Sequence, residues 1–525
     1  MRAIDFFDKG ARLNPDRTAI IDGDRKISFA ELTDMSFQFA RGLWAAGAEM
    51  EELVALYAPN DPRVLVTLLG MWRAGATWIP VNPRNALDAN IQYLNYVRAK
   101  WLFYHSSFAE DVAELKAKVP SFTRFVCIDK EDGDVPSMAQ FMESGKGQPD
   151  VDWADPFGNL MHRVGIFPTG GTTGPAKGMN VTNLGWGTML HTMANYMKVD
   201  GVDPVLLTSA PLTHAAGPVA MVCFIFGATN VVLPGFDAGK VLEAIEKHKV
   251  THMFLPPTAL YGLLDHPDRD KFDTSSLKRF LLVGSSCAPG KLKQAVEVFG
   301  PCMCQSYGQV ECPMTLTFFS PEEVAEAAAK NDLKRLSSCG KESYAVRAAI
   351  MDDDGNLLGQ GQEGEIVARG ALVSHSYFEK PEATAEIRTH GWHHTGDVGV
   401  YDEDGFFYIV DRKKDMIVTG GFNVYTTEVE GAVMELPQVK ECAVVGVPDE
   451  KWGEAVKAIV ALAQGQSLTE DEVIAHCKKR LGSVKSPKSV EFWPEVPRTP
   501  NGKPDKKGIR AKFWSGKSRQ IGGLY

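Results

Sequence analysis

The chain is 525 residues long, 44% apolar and 23% charged, with a formal net charge of -10. That length exceeds what one hydrophobic core supports and predicts about two to four domains, and the composition excludes disorder over most of the chain. The acidic balance argues against a dedicated nucleic-acid binder, which carries a basic surplus, while leaving local sites for anionic substrates open.

Met1 to Gly10 carries Arg2, Asp5, Asp8 and Lys9 around a short apolar patch and does not read as a secretory signal. Val54 to Tyr57 is an apolar, strand-like run, Pro62 to Ala74 has helical spacing, and Trp78 to Val81 reads as the next strand. Val219 to Leu233, the longest apolar stretch, is interrupted by Gly227, Thr229 and Asn230, so it reads as a buried helix and strand rather than a membrane span. The alternation continues with a strand at Asn230 to Leu233, a helix at Ala238 to His248, and strands at His252 to Leu255 and Arg279 to Val283. Strand and helix in this order predict parallel sheets covered by helices.

From Val346 the pattern changes to short strands at Val346 to Met351, Gly364 to Arg369 and Phe406 to Val410. Acidic-glycine turns at Asp352 to Asn356 and Asp402 to Gly405 separate them, which predicts a β-meander or barrel subdomain. Beyond Asp411 a helix at Thr427 to Glu435, strands at Val439 to Val447 and Ala455 to Leu462, a helix at Thr469 to Leu481 and a strand at Ser489 to Phe492 predict a small α+β domain. The expected class is therefore α/β. A large N-terminal domain, 1-411, has parallel-rich sheets and the meander or barrel, and a small C-terminal domain spans 412-525. Ser515 to Tyr525 reads as a loose tail. No repeat of 20 to 50 residues is visible, and the nine cysteines, lacking paired spacing, read as buried reduced thiols of a cytoplasmic protein.

The segment Phe167-Pro-Thr-Gly-Gly-Thr-Thr-Gly-Pro-Ala-Lys-Gly178 concentrates glycine, threonine and one lysine after a strand-like run, Val164 to Phe167. Glycine lets backbone N–H groups turn toward an anion, hydroxyls add donors, and lysine adds a point charge. A flexible surface turn is the bland alternative. The P-loop pattern is excluded, because Ala176 precedes and Gly178 follows Lys177.

This segment resembles the phosphate-binding loop of the adenylate-forming (AMP-binding) superfamily, and further motifs follow in that family's order across nearly the whole chain. Pro211-Leu-Thr-His-Ala-Ala-Gly217 resembles the next motif and makes His214 a candidate gate to the acyl pocket; taken alone, His214 reads rather as a satisfied core residue. Gly284-Ser-Ser-Cys-Ala-Pro289 and Gln305-Ser-Tyr-Gly-Gln-Val-Glu311 resemble the segments that cradle adenine. Gly284, Ser285, Ser286, Gln305, Ser306 and Gly308 thus become nucleotide candidates. Tyr307 offers a flat face to the base, and Glu311 a hard oxygen to Mg²⁺. Thr395-Gly-Asp397 resembles the ribose-binding aspartate motif, and Asp411-Arg-Lys-Lys-Asp-Met-Ile-Val-Thr-Gly-Gly-Phe-Asn-Val-Tyr-Thr-Thr-Glu428 the hinge motif. There the resemblance implies Arg412 at the ribose, Lys414 at the pivot, and Gly420 and Gly421 along the pantetheine channel. Pro497-Arg-Thr-Pro-Asn-Gly-Lys503 resembles the last motif and implies Lys503 as the adenylation lysine.

The resemblance implies an ATP-dependent acid–CoA ligase that makes an acyl-adenylate and diphosphate, then acyl-CoA and AMP. The small domain would swing about Lys414 between the two half-reactions. Lys503, Thr169, Glu311 and His214 are the expected catalytic set. Gly170, Gly171, Thr172, Thr173 and Lys177 join Thr169 around the phosphates, and Thr169 and Glu311 are expected at Mg²⁺. ATP, Mg²⁺ and coenzyme A are the expected cofactors and co-substrates, and a homodimer is possible by the family's habit. Four departures bear on the nucleotide contacts. Gly170 replaces a hydroxyl residue, Pro175-Ala176 reorders a usual pair, Val310 replaces a common threonine, and Val418 stands where some relatives carry a second lysine.

The acyl pocket is expected to draw on Trp186 to Tyr196, His214 to Val222 and Gly284 to Ala288. These apolar stretches lack a basic residue for a second carboxylate and favour a medium- or long-chain fatty acid. An aromatic or phenylpropenoic acid is the alternative. Other readings are an acyl-AMP ligase loading a carrier protein and a catalytically silent nucleotide-binding regulator. Lys478, Lys479, Arg480, Lys485 and Lys488 suit either coenzyme A's anionic end or a solvated helix face.

Overall fold

The computed structural model describes residues 1–151, 159–169, 177–499 and 503–514. The chain divides into two compact units: Met1–Ala348 with Ala368–His393, and Ala349–Val367 with His394–Tyr525. The boundary expected at 411/412 lies inside the second unit. Among the described residues no helix is long and apolar enough to cross a membrane.

The first unit is α/β, as expected. One seven-stranded sheet runs Ser376–Tyr377, Lys177–Thr182, Arg163–Thr169, Thr77–Pro80, Leu53–Tyr57, Trp101–Tyr104 and Arg124–Cys127. Its last five strands are parallel, and the first two join antiparallel. Parallel strands need crossovers, and helix Pro62–Ala74 is one of them. Asp61 caps it by accepting the Arg63 N–H at 2.8 Å, Pro62 opens it, and Gly75 closes it at φ 78°. Every residue of this helix except Arg63 is buried, so it lies inside the fold rather than on its surface.

A second run of strands in this unit is ordered Gly340–Glu342, Thr317–Phe319, Met303–Tyr307, Arg279–Leu282, His252–Leu255, Val205–Thr208, Thr229–Val232, Thr18–Asp22 and Arg25–Ser28. Its central strands are parallel and its flanks antiparallel. The long apolar stretch resolves into helix Ala216–Phe224, buried at every position, and strand Thr229–Val232. All nine cysteines are free, and eight are buried.

In the second unit a meander takes the order Leu357–Leu358, Arg347–Met351, Gly364–Arg369, His393–Tyr401, Phe406–Arg412. Its two acidic turns share one device. Asp352 Oδ1 accepts from the Asp354 and Asn356 N–H groups, and Asp402 Oδ1 from those of Asp404 and Phe406. Gly355 and Gly405 supply the left-handed residue at φ 87° and 80°. The meander does not close into a barrel among the described residues, which corrects half of that expectation. Closure needs a full-length edge strand, and the terminal Leu357–Leu358 is two residues long.

The remaining sheet is ordered Phe422–Val424, Ile417–Thr419, Gly453–Leu462, Val439–Asp449, with Ser489–Phe492 parallel to Gly453–Leu462. Helices Thr426–Met434 and Glu470–Lys485 enclose a core of Val429, Val433, Val444, Val456, Val460, Val473 and Cys477. The hairpin Ile417–Val424 and helix Lys506–Phe513 are elements the sequence pattern did not reveal.

Candidate functional site

Strands Arg163–Thr169 and Lys177–Thr182 pair antiparallel with Thr169 opposite Lys177. Both ends of the expected phosphate loop are thereby fixed. Gly170, Gly171, Thr172 and Thr173 lie outside the described residues, as do Asn501, Gly502 and the tail Ser515 to Tyr525. The Lys177 ammonium stands 5.1 Å from the centroid of the Tyr377 ring, and among the described residues it has no carboxylate partner. Strand Ser376–Tyr377 pairs with Lys177–Thr182, Tyr377 facing Met179. The Tyr377 hydroxyl donates to Glu311 Oε1 at 2.6 Å. Burial first, and the Glu311 charge second, raise the tyrosine's pKa far above the ordinary phenol value, so it stays a donor.

Thr169, Lys177, Tyr377 and Glu311 therefore form one linked group. Ser374 holds the backbone beneath it, its N–H donating to the Glu311 carbonyl and its hydroxyl to that of Val310. Tyr377 was not found from sequence; its only signal was a tyrosine in a short strand before Pro381. The donor set fits Mg²⁺. A carboxylate with one oxygen engaged by a phenol, and a threonine hydroxyl on the strand that pairs with Lys177, are hard oxygens of the kind this ion takes from protein when phosphates supply the rest.

The adenine candidates lie at the ends of two adjacent parallel strands, Arg279–Leu282 and Met303–Tyr307, where Leu282 pairs with Gln305. Open α/β sheets bind ligands beyond such carboxyl ends. Gly284 takes φ 103° and, with Ser285 and Ser286, is exposed. Tyr261 accepts the Ala288 N–H at 2.9 Å and so anchors the segment. Gln305 and Ser306 are buried, and the Ser306 hydroxyl bonds the carbonyls of Met314 and Thr317. Ser306 thus holds the turn; its hydroxyl does not project outward. Tyr307 ends its strand, half-buried. Gly308 is sterically required, since a Cβ there would come within 2.6 Å of Met314 N and 2.7 Å of Cys312 O.

The second unit joins the ribose and lysine candidates. Asp397 and Arg412 are cross-strand partners, and Arg412 Nε meets the buried Asp397 carboxylate at 3.0 Å. Lys503 belongs to a loop closed by the Thr499 N–H donating to the Lys503 carbonyl at 2.7 Å, with Arg498 bridging Pro504. The residue is exposed as a whole, yet the protein around its ammonium lowers its pKa. The Arg412 charge lowers it further, and Asp397 raises it partway back. Asp397, Arg412 and Lys503 therefore act on one another.

Lys414 follows Arg412 in a tight turn in which Asp415 and Met416 donate N–H groups to the Arg412 carbonyl. Burial, then Arg412, lowers its pKa. Gly420 and Gly421 take φ 57° and 82°; a Cβ on Gly420 would meet the Trp452 ring at 2.5 Å, whereas Gly421 borders open space. His214 lies exposed in the turn before helix Ala216–Phe224, not in the core. Of the basic residues beyond it, Lys485 pairs with Glu428 and Arg480 with Glu435, both at 2.7 Å.

The model of the family described as AMP-binding enzyme matches residues 7–378, and that of its C-terminal domain matches residues 428–503. The chain is 36% identical over 519 residues to the medium/long-chain-fatty-acid–CoA ligase FadD8 of Mycobacterium tuberculosis, covering 95% of this chain and 88% of that one. It is 35% identical over 511 residues to a feruloyl-CoA synthase of an Amycolatopsis species, covering 96% and 97%. Among solved structures, the amide bond synthetase McbA of Marinactinospora thermotolerans superposes with a TM-score of 0.87 at 28% identity, covering 98% and 100%.

Proposed function

This chain belongs to the AMP-binding enzyme family, as an acid–thiol ligase of its AMP-forming acyl-CoA synthetase branch, and we propose that the acid it activates is a medium- or long-chain fatty acid. The observation that carries the nucleotide chemistry is the linked group Thr169, Lys177, Tyr377 and Glu311, whose ammonium lacks a carboxylate partner among the described residues. A buried or half-buried cation left without an internal anion is a site for an external one.

In the first half-reaction the acid's carboxylate oxygen forms a bond to the α-phosphorus, the bond to the bridging oxygen breaks, and diphosphate leaves. Two anions meet, so the protein's task is positioning and charge stabilisation. Lys177 and Thr169 would face the leaving phosphates. Asp397 would accept hydrogen bonds from the ribose with Arg412 beside it, and the Lys503 ammonium would face the charge developing on the α-phosphate. Glu311 and Thr169 would hold Mg²⁺, which when bound neutralises the leaving diphosphate. In the second half-reaction the coenzyme A sulfur bonds to the acyl carbon, AMP departs, and the thiol proton passes to solvent. The Gly420–Gly421 hairpin would line the thiol's approach, after a cap of 412-525 turns about Lys414.

The fatty-acid reading rests on side chains. Trp186, Met189, Leu190 and Met193 are buried along helix Asn183–Met197, and neither that helix nor Ala216–Phe224 contains Lys or Arg. The similarity to a feruloyl-CoA synthase supports an aromatic acid as the second reading. The test is acid-dependent exchange of labelled diphosphate into ATP across fatty, aryl and phenylpropenoic acids, followed by coenzyme A or a holo-carrier protein as acceptor. Exchange with C8 to C16 acids and transfer to coenzyme A are expected. Preference for ferulate-like acids would overturn the substrate, transfer only to a carrier would overturn the acceptor, and exchange with no acid would favour a silent nucleotide-binding protein.

A further inference from the structure

The Arg412 charge lowers the pKa of the Lys503 ammonium, and two like charges left to themselves separate. Something must hold the Lys503 loop where it is. The loop passes directly into helix Lys506–Phe513, whose first turn is capped by Asp505 accepting the Gly508 N–H at 2.9 Å. The first residue of that helix, Lys506, turns its side chain inward, where it is 15% exposed. Its ammonium donates to Thr426 Oγ1 at 2.7 Å and to Glu430 Oε1 at 2.8 Å. Thr426 is fully buried, and its hydroxyl donates a hydrogen bond to the Asp411 carboxylate at 2.8 Å. Asp411 in turn accepts the Arg412 backbone N–H at 2.7 Å.

We propose that Lys506 is a positioning residue for the adenylation step, tying the Lys503 loop through Thr426 to Asp411 and hence to the strand end that carries Arg412. The proposal rests on the reading that Lys503 serves adenylation.

Each polar atom on this path is used. Thr426 Oγ1 accepts from Lys506 while it donates to Asp411, and Glu430 Oε1 also accepts the Val444 N–H at 2.8 Å. Burial raises the pKa of both Asp411 and Glu430, and Lys506 pulls each back down. Removing the ammonium leaves two carboxylates buried against each other, which favours separation of the segments that bear them. Those segments are strand Phe406–Arg412 and helix Thr426–Met434, and the Lys503 loop loses the ammonium that ties it to both. An arginine at 506 keeps the charge and can donate to both partners, whereas methionine keeps only the bulk.

The test uses the full chain and two half-reactions: acid-dependent ATP–diphosphate exchange, and acyl transfer to coenzyme A from synthetic acyl-adenylate. In K506M, exchange is expected to fall about tenfold more than transfer, with K506R recovering most of the difference. The alkaline limb of the exchange profile also moves to higher pH in K506M, because a Lys503 freed from Arg412 regains a more ordinary pKa. A merely structural lysine would slow both half-reactions alike and leave the limb in place, which overturns the proposal. If K506M does not fold, T426V, matched in volume, takes its place with the same expectations. Wild-type protein that exchanges normally beside an unaltered K506M overturns this proposal alone; wild-type silence with every acid overturns the functional reading and this proposal together.

Discussion

Tyr377 donates its phenolic hydrogen to Glu311 Oε1 across 2.6 Å although 66 residues separate them in the chain. The same ring lies under the Lys177 ammonium, so one side chain orients the proposed metal carboxylate and supports the proposed phosphate cation. The two roles are separable. Y377F keeps the ring and deletes the donor, which costs a charge-assisted hydrogen bond of about 1.5–3 kcal/mol. Exchange is expected to fall about ten- to a hundredfold at limiting Mg²⁺ and to recover in part as Mg²⁺ is raised. Y377L, lacking the ring as well, recovers less, and a Mg²⁺ titration of both variants checks this.

Gly308 gives a stability prediction. Its missing Cβ is surrounded by backbone atoms, Met314 N at 2.6 Å and Cys312 O at 2.7 Å, which cannot rotate away as a side chain would. Met314 already holds φ 56°, so the turn has little freedom left. G308A is expected to cost about 1–3 kcal/mol in urea unfolding and to raise the ATP KM severalfold, because the displaced turn follows Tyr307. G290A, where a Cβ meets nothing within 4 Å, is the control.

What the sequence made legible follows from how local each signal is. Helix Pro62–Ala74 was bounded correctly because Asp61, Pro62 and Gly75 are start and stop residues, and helix Ala238–His248 begins behind a capping Asp237. The order of the family's motifs was readable since each is a contiguous string, and the structure joins Asp397, Arg412 and Lys503 electrostatically. Tyr377 was not readable, because its partner is remote and a lone tyrosine in a two-residue strand carries no pattern. Lys506 was missed for a similar reason: in a run with Lys503 and Lys507 it resembles solvated charge, and only the fold turns it inward. Hairpin Ile417–Val424 has strands of three residues, too short for alternation to show.

Gly420 and Gly421 separate two causes of damage. Both sit at positive φ, so alanine strains either one by about 1–2 kcal/mol. Only at Gly420 does the new Cβ also strike the Trp452 ring, at 2.5 Å. G420A is therefore expected to slow acyl transfer to coenzyme A about tenfold more than G421A does, with a smaller difference in diphosphate exchange. Equal effects of the two variants on transfer would separate the Trp452 face from the thiol's approach.

The Lys503 ammonium supplies a pH prediction with a definite sign. Its folded pKa lies below the ordinary 10.5, from desolvation first and Arg412 second, so it loses its proton sooner than a solvated lysine as pH rises. In the proposed reaction it is the charged form that faces the α-phosphate, so exchange is expected to decline on an alkaline limb that begins below 10.5. Arginine does not deprotonate in this range, and K503R, though slower throughout, should lose the limb. R412Q removes one cause of the depression and is expected to move the limb upward while weakening ATP binding. The folding equilibrium follows the same linkage: the native state holds this proton less tightly than the unfolded chain, so this group's contribution to stability grows as pH rises from the folded pKa toward 10.5. Activity thus falls on the alkaline side while the Lys503 contribution to stability rises, and exchange rates measured beside urea midpoints over pH 7 to 10.5 distinguish loss of a catalytic proton from loss of fold.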